Sequence, residues 1–264
     1  MWLPDDNMQK RELVINPPFV NAASSLGFYP NPKHQNTWEN LGAFITNPIS
    51  FKARQPADNC LFISKQSFIL MHTGLANPGF KSSLKRFALH WAKAPLGIIV
   101  HLLAEDSFSL QQMVATLETC ENVVAVELSF SDKLDWAEIE SILHNITGEL
   151  PLILCLTLQQ VWAYLPMLER NTDQVIHIGG GRGAILDDSG NLVNGQLVGF
   201  DQFLLILNAV QKVSKLGIRV IGGGGIISGN QVKAMFKAGA QVIALDCLLW
   251  QGGVDLSELQ VPIK

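Results

Sequence analysis

Four consecutive glycines, Gly222 to Gly225, have a possible chemical role in this sequence. They follow the apolar pair Val220-Ile221 and precede a helical pattern that begins near Gly229. Glycine lets the backbone approach a ligand closely and adopt positive φ, and the N-terminus of the next helix offers free N–H groups to an anion. The run therefore predicts a phosphate site. A tight strand-to-helix turn without a ligand is the alternative.

Titratable side chains form a second group of candidates. His101, Glu127 and His177 each lie within an apolar run or at its end, and each could act as a general acid or base. For the two histidines, a buried core position with satisfied hydrogen bonds is the alternative. Arg182 lies between two glycines, where an arginine either binds an anion or remains solvated.

The composition restricts the class of protein. The chain has 264 residues, of which 48% are hydrophobic and only 16% are charged. An average soluble domain has about 25% charged residues, so this chain can bury a large core and is not disordered. Its net charge of −4 gives no reason to expect binding to nucleic acid or to an anionic membrane surface.

The cysteines and the apolar runs bear on location. Cys60, Cys120, Cys155 and Cys247 are widely separated and form no CxxC pair, which favours a reducing compartment and predicts no metal site. The longest apolar stretch has eleven residues, whereas a membrane-spanning helix needs about 20. The first residues lack the pattern of a signal peptide. A cytoplasmic protein without membrane contact is expected.

Apolar runs alternate with helical patterns along the whole chain. Continuous apolar runs are typical of strands that are buried on both faces of a parallel sheet. Eight strands are predicted: Phe19–Ala23, Ala43–Thr46, Leu96–His101, Val123–Leu128, Leu152–Leu156, Gln174–Ile178, Arg219–Ile221 and Gln241–Leu245. Between them, helices are predicted at Ser107–Thr119, Trp136–Ile146, Phe200–Lys215 and Gly229–Ala238.

Eight strand–helix units with uniform composition predict the α/β fold class and a single (β/α)8 TIM barrel, residues 1–264 forming one domain. An open doubly wound sheet is the alternative. Leu61–Leu70 predicts a hairpin inserted after the second strand, and Gly179–Gly199 predicts a long polar loop after the sixth. Long loops at the C-terminal ends of barrel strands are where active sites are built.

Three stretches resemble those of a known family. They are Asn16–Ser24 (NPPFVNAAS), Leu41–Asn47 (LGAFITN) with Thr73–Phe80 (TGLANPGF), and Val220–Gly229 (VIGGGGIISG) with Ala238–Ala240 (AGA). Their order and spacing are similar to those of the dihydroorotate dehydrogenase family, FMN-containing barrels, over almost the whole chain. The single motifs are moderately specific, and their succession is much more so.

The resemblance implies an FMN-dependent oxidoreductase of pyrimidine biosynthesis that oxidises dihydroorotate or a related small cyclic substrate. Members of the family are often dimers, so the resemblance also implies a homodimer. It assigns FMN contacts to Ala22, Ala23, Ser24, Thr46, Asn47, Glu127, Cys155, Gly223, Gly224, Gly225, Asp246 and Cys247. It assigns substrate contacts to Met71, His72, Gly74, Leu75 and Asp132, and it leaves Ser131 as the substitute catalytic base.

The sequence departs from this family at the positions that carry the chemistry. Two family lysines beside the flavin are replaced by Asn47 and Cys155. Two substrate asparagines become Glu127 and Asp132, which would repel a carboxylate such as that of orotate. Asp246 stands where the family's backbone faces the phosphate, and its negative charge opposes phosphate binding.

Three hypotheses follow for the function. The first is the FMN-dependent oxidoreductase. The second is a catalytically inactive relative that binds a ligand or serves as a subunit. The third is a phosphate-binding barrel lyase or isomerase without flavin, in which His101, Glu127 or His177 serves as the acid or base.

Overall fold

Eight parallel strands close into a barrel in a computed structural model, which describes residues 10–58, 60–65, 68–170 and 174–250. The strands of the chain are β1 (Phe19–Asn21), β2 (Ala43–Ile45), β3 (Leu61–Ser64), β4 (Phe68–His72), β5 (Gly97–Ala104), β6 (Val123–Phe130), β7 (Leu152–Leu156), β8 (Val175–Ile178), β9 (Arg182–Leu186), β10 (Leu192–Gly199), β11 (Arg219–Gly223) and β12 (Val242–Leu245). The barrel order is β1-β2-β5-β6-β7-β8-β11-β12, which confirms the predicted (β/α)8 fold and all eight predicted barrel strands.

Helices connect the barrel strands on the outside. They are α1 (Gln35–Trp38), α2 (Phe80–Ala92), α3 (Ser107–Leu117), α4 (Trp136–His144), α5 (Leu158–Leu168), α6 (Phe203–Ser214), α7 (Gly229–Ala238) and α8 (Cys247–Trp250). The side chain of Asp106 accepts the N–H of Ser109 at the start of α3, and Asp135 forms a capping box with Glu138 in α4. Within the described residues, no helix has the length and apolarity needed to cross a membrane.

The barrel interior is filled by one inward-facing side chain or pair from each strand, mostly small or branched. These residues are Val20, Ala43, Ile45, Ile99, Ala125, Ile153, Val175, Ile221 and Ala244. The intervening residues face outward and form a larger core with the helices; Phe44, Ile98 and Val100 are fully buried there. Burial on both faces explains the continuous apolar runs.

The hairpin after the second barrel strand is confirmed, because β3 and β4 pair in antiparallel register. The prediction of an irregular loop over Gly179–Gly199 is wrong. This segment forms β9 and β10, and β10 also pairs with β4, so the order of this second sheet is β3-β4-β10-β9. Because these two strands are half exposed and contain glycines, they have no continuous apolar run from which a strand could be predicted.

The turn between β9 and β10 is formed by Asp187–Asn191. The Asp187 carboxylate accepts the backbone N–H groups of Ser189 and Asn191, which makes the tight reversal. This reversal brings β10 back over β4 and places Gln196 opposite Met71. The four-stranded sheet thereby supplies one wall of a cavity at the end of the barrel.

Candidate active site in the barrel mouth

A cavity of about 540 Å³ opens at the C-terminal ends of the barrel strands, within the usual range for small-molecule sites. Its sides come from the strand ends and from β4, β9 and β10 of the second sheet. This is the end of the barrel at which enzymes of this fold place their active sites.

The inward-facing side chains at the floor continue the barrel interior. Side chains of a strand alternate in direction, so a residue two positions beyond an inward-facing one also points inward. Counting two residues on from the interior cluster gives His101, Glu127, Cys155, His177, Gly223 and Asp246. Polar and reactive side chains therefore replace aliphatic ones one layer above the barrel core.

Glu127 lies at the centre of this layer and is fully buried. Its two oxygens each lie 2.6 Å from the Nδ1 atom of a histidine, Oε1 from that of His101 and Oε2 from that of His177. Both histidines are almost completely buried. A carboxylate that accepts a ring N–H from each side fixes the orientation of both rings.

The charges on this group follow from burial and pairing. Burial alone would raise the pKa of the Glu127 carboxyl, but the positive charge of His177 and hydrogen bonds from both rings outweigh it and lower the pKa to about 2. Burial likewise acts to lower the pKa of His177, whereas the Glu127 carboxylate raises it well above its ordinary value. Glu127 is thus an anion paired with a His177 imidazolium.

The second ring nitrogen of each histidine faces different partners. His101 Nε2 lies 2.9 Å from the hydroxyl oxygen of Ser129, a residue absent from the sequence predictions. Among the described residues, His177 Nε2 has no hydrogen-bond partner. The Cys155 thiol interacts with the His177 ring, and burial raises the thiol pKa, so Cys155 is a neutral thiol at neutral pH.

Metal-ligating atoms of His101, Glu127 and Cys155 lie within 4.8 Å of one another. Such a group could hold a metal ion in principle. Both carboxylate oxygens, however, already accept hydrogen bonds from ring N–H groups at 2.6 Å. Within the described residues the floor is therefore organised as a hydrogen-bonded network.

Most residues assigned by sequence resemblance line this one cavity. They are Ala22, Ala23, Ser24, Met71, His72, Gly74, Leu75, Ser131, Asp132, Cys155, Gly223, Gly224 and Asp246. Glu127 lies directly beneath, and His101 and His177 line the cavity as well. Their roles toward FMN or a substrate remain predictions.

Besides Glu127, four of the assigned residues do not line the cavity. Thr46 Oγ1 accepts the backbone N–H of His101, and the Asn47 side chain accepts the N–H of Gly27, so both hold strand ends in place. Gly225 and Cys247 lie behind the cavity wall, where burial and the neighbouring Asp246 raise the pKa of the Cys247 thiol to about 12.

The glycine run has packing reasons at every position. A Cβ on Gly222 would lie 2.8 Å from Met235 Sδ, and one on Gly223 would lie 2.6 Å from the Cβ of Ala244. Gly224 and Gly225 have φ of +109° and +71°, a region that favours glycine. The alternative of a tight strand-to-helix turn therefore accounts for all four residues.

The Asp246 carboxyl group uses backbone donors at the end of the glycine run. It is buried and accepts the backbone N–H groups of Cys247 and Gly225, so these N–H groups are not open to a phosphate. Burial raises the pKa of Asp246, as expected for a carboxyl group removed from water. These residues do not fit an FMN phosphate in the Gly222–Gly225 loop.

The arginines that line the cavity lie at its rim. Arg54 pairs with Glu105 at 3.1 Å and Arg182 pairs with Asp132 at 2.9 Å, with all four side chains substantially exposed. Each pair is neutral overall and screened by solvent. His72 bonds through Nδ1 to the carbonyl oxygen of Asn194, which ties β4 to β10 at the same rim.

Fold and site together define a (β/α)8 barrel with a buried acid–base network at its C-terminal mouth. No protein-family model matches the chain, and no curated protein sequence matches it significantly.

Proposed function

We propose that this barrel is an enzyme that moves protons on a small polar molecule bound in the barrel mouth, as a lyase or an isomerase does. The observation that carries the proposal is Glu127, which joins His101 and His177 through two 2.6 Å hydrogen bonds directly below the cavity. Buried titratable groups with a strongly shifted pKa are typical of active sites.

The two histidines are suited to opposite roles. His101 gives its Nδ1–H to Glu127, so the lone pair of its Nε2 is directed toward Ser129 and the cavity, where it can accept a proton. His177 is held as an imidazolium by the Glu127 carboxylate, its Nε2 atom is buried, and the ring lines the cavity. A base and an acid on one floor are the requirement for shifting a proton between two atoms of a substrate.

The charges of the cavity define the class of substrate. The arginines at the rim and the His177 imidazolium at the floor are each already paired with a carboxylate. The cavity therefore offers no unpaired cation among these groups to bind a carboxylate or a phosphate. The substrate is therefore expected to direct a neutral polar group, such as a carbonyl or hydroxyl, toward the histidines.

Solvent hydrogen exchange tests this proposal on a panel of small hydroxy- and oxo-compounds. We expect the protein in D2O to introduce deuterium into at least one member of the panel, and NMR measures the rate of incorporation. Removing a general base slows such a step by about 10² to 10⁴, so His101→Gln should slow the exchange by that factor.

His34→Gln is the matched control, because His34 is exposed and is not among the residues that line the cavity. We expect it to retain the wild-type exchange rate. Equal rates for His101→Gln and His34→Gln, or no exchange with any member of the panel, would contradict the proposal.

The FMN-dependent oxidoreductase implied by the resemblance is the alternative. Most of the assigned residues line one cavity, which favours it, whereas the acidic side chains of Asp246 and Glu127 among the assigned FMN contacts oppose it. We expect the purified protein to lack absorbance near 450 nm and to leave the fluorescence of added FMN unquenched. Tight binding of FMN, with a change in its spectrum, would overturn the acid–base proposal and support the flavin enzyme.

A further inference from the structure

We propose that Ser129 is a nucleophile activated by His101, which gives the barrel an acyl-transfer activity toward small esters. This inference rests on the proposed role of His101 as a base and goes beyond proton transfer, since it adds a covalent step. Ser129, His101 and Glu127 form a continuous hydrogen-bonded series at the cavity floor.

The geometry of this series meets the requirements for nucleophilic catalysis. The Ser129 hydroxyl lies 2.9 Å from His101 Nε2, and His101 Nδ1 lies 2.6 Å from Glu127 Oε1. A nucleophile within hydrogen-bond reach of a base, with the base oriented by a third group, is the arrangement shared by serine hydrolases on unrelated folds.

The three side chains differ in exposure in the way that catalysis requires. Glu127 is fully buried and His101 is 3% exposed, so the carboxylate and ring are held rigidly by their surroundings. Ser129 is half-buried and lines the cavity, so its hydroxyl can reach a bound molecule. Strand register explains this: Ser129 lies two residues above Glu127 on β6, one inward-facing position nearer the mouth.

Two other serines at the cavity, Ser25 and Ser131, have different partners. The Ser25 hydroxyl donates to the carbonyl oxygen of Ala22, and the Ser131 hydroxyl accepts the backbone N–H of Lys133. A hydroxyl that donates to a carbonyl gains no proton acceptor strong enough to activate it. The bond to a histidine that is itself bonded to a carboxylate distinguishes Ser129 from these two.

The reaction balances with water as the only co-reactant. Ser129 Oγ forms a bond to the acyl carbon, its proton passes to His101 Nε2, and that proton then goes to the alcohol oxygen as the C–O bond of the ester breaks. Water attacks the acyl-serine in the second half, gives one proton to His101, and releases the acid as Ser129 regains its proton. The His177 ring lines the same cavity, and its positive charge is suited to stabilise the oxyanion.

The substrate class follows from the cavity. Its volume of about 540 Å³ admits a small ester and no polymer, and its arginines and the His177 imidazolium are each paired with a carboxylate, so none of them is left to bind an acyl group that carries a negative charge. Esters of short, uncharged acids are therefore the expected substrates.

A small fluorophosphonate tests the nucleophile directly, because its phosphorus bonds to an activated serine oxygen as fluoride leaves. We expect one adduct per chain by intact mass and peptide mapping to place it on Ser129. Ser129→Ala should lose the adduct completely, whereas the matched cavity variant Ser25→Ala should be labelled like the wild type. We also expect His101→Gln to slow labelling at least about 100-fold.

An adduct on Ser131 or another residue, or no adduct on wild-type protein, would overturn the proposal. Ser129→Cys provides a second measurement that retains a nucleophilic atom: 4-nitrophenyl acetate should acetylate that thiol, and acetylation elsewhere counts against the proposal. The two tests distinguish the two proposals. Deuterium exchange without labelling by the fluorophosphonate would contradict only the acyl-transfer proposal. Labelling without deuterium exchange would contradict only the proposed proton-transfer function.

Discussion

Glu127→Gln is expected to lower the free energy of unfolding by about 3–5 kcal/mol at pH 6, the cost of breaking a buried ion pair by removing one partner. The substitution preserves the size of the side chain and removes its charge. The His177 imidazolium then has no counter-charge, and the new amide N–H2 points a donor at a ring N–H. Denaturant unfolding monitored by circular dichroism measures the change.

The pH dependence of this loss has a defined sign. The pKa of Glu127 is lowered in the folded protein, so its contribution is present above the ordinary value of 4.5 and disappears as pH falls through about 2. The pKa of His177 is raised, so its contribution is complete below 6.5 and disappears as pH rises through the folded pKa. The difference between wild type and variant should be largest between about pH 4.5 and 6.5.

Glu105→Gln is the matched control for Glu127→Gln. Glu105 pairs with Arg54 at the solvent-exposed rim, where an ion pair contributes about 0–1 kcal/mol. Equal losses for the two variants, or a loss for Glu127→Gln that grows as the solution becomes alkaline, would show that Glu127 is not a buried partner of His177.

Gly225→Ala is expected to destabilise the protein by more than about 3 kcal/mol, since strain and steric overlap add at one position. Gly225 has φ of +71°, and a Cβ there would collide with the carbonyl oxygen of Gly199, which is backbone and cannot rotate away. Thermal unfolding and denaturant titration both measure the effect.

Gly190→Ala isolates the contribution of the backbone angle. Gly190 has a similar φ of +82°, but its Cβ would have no atom within 4 Å, so only the conformational cost of about 1–2 kcal/mol applies. If Gly225→Ala cost no more than Gly190→Ala, close packing of the glycine run against β10 would be disproved, and the case for a ligand in that loop would be restored.

The barrel could be predicted from the sequence because its strands are buried on both faces. Runs such as Val123–Leu128 then show no polar alternation, and the helices between them carry caps such as Asp106 and Asp135. The strands β9 and β10 could not be found in this way, because each is half exposed and interrupted by glycines. In the sheet, β10 pairs with β4, which lies more than 100 residues earlier in the chain.

The candidate site could be predicted only in part. The sequence singles out three titratable residues one by one: His101, Glu127 and His177. They also share a feature, since each follows an inward-facing apolar residue by two positions. Ser129 follows the same alternation, four residues after Ala125. Serines near strand ends are so common, however, that the sequence does not identify this one as a functional residue.

By itself the sequence determined the eight barrel strands, their separation by helices, and the alternation that turns one set of side chains inward. Only the tertiary structure decided which inward side chains meet. Glu127 lies 26 and 50 residues from the two histidines, and contact between them depends on β5, β6, β7 and β8 being neighbours in a definite register. Register is set by closure of the whole barrel, so local patterns carry no record of the hydrogen bonds that make these residues one site.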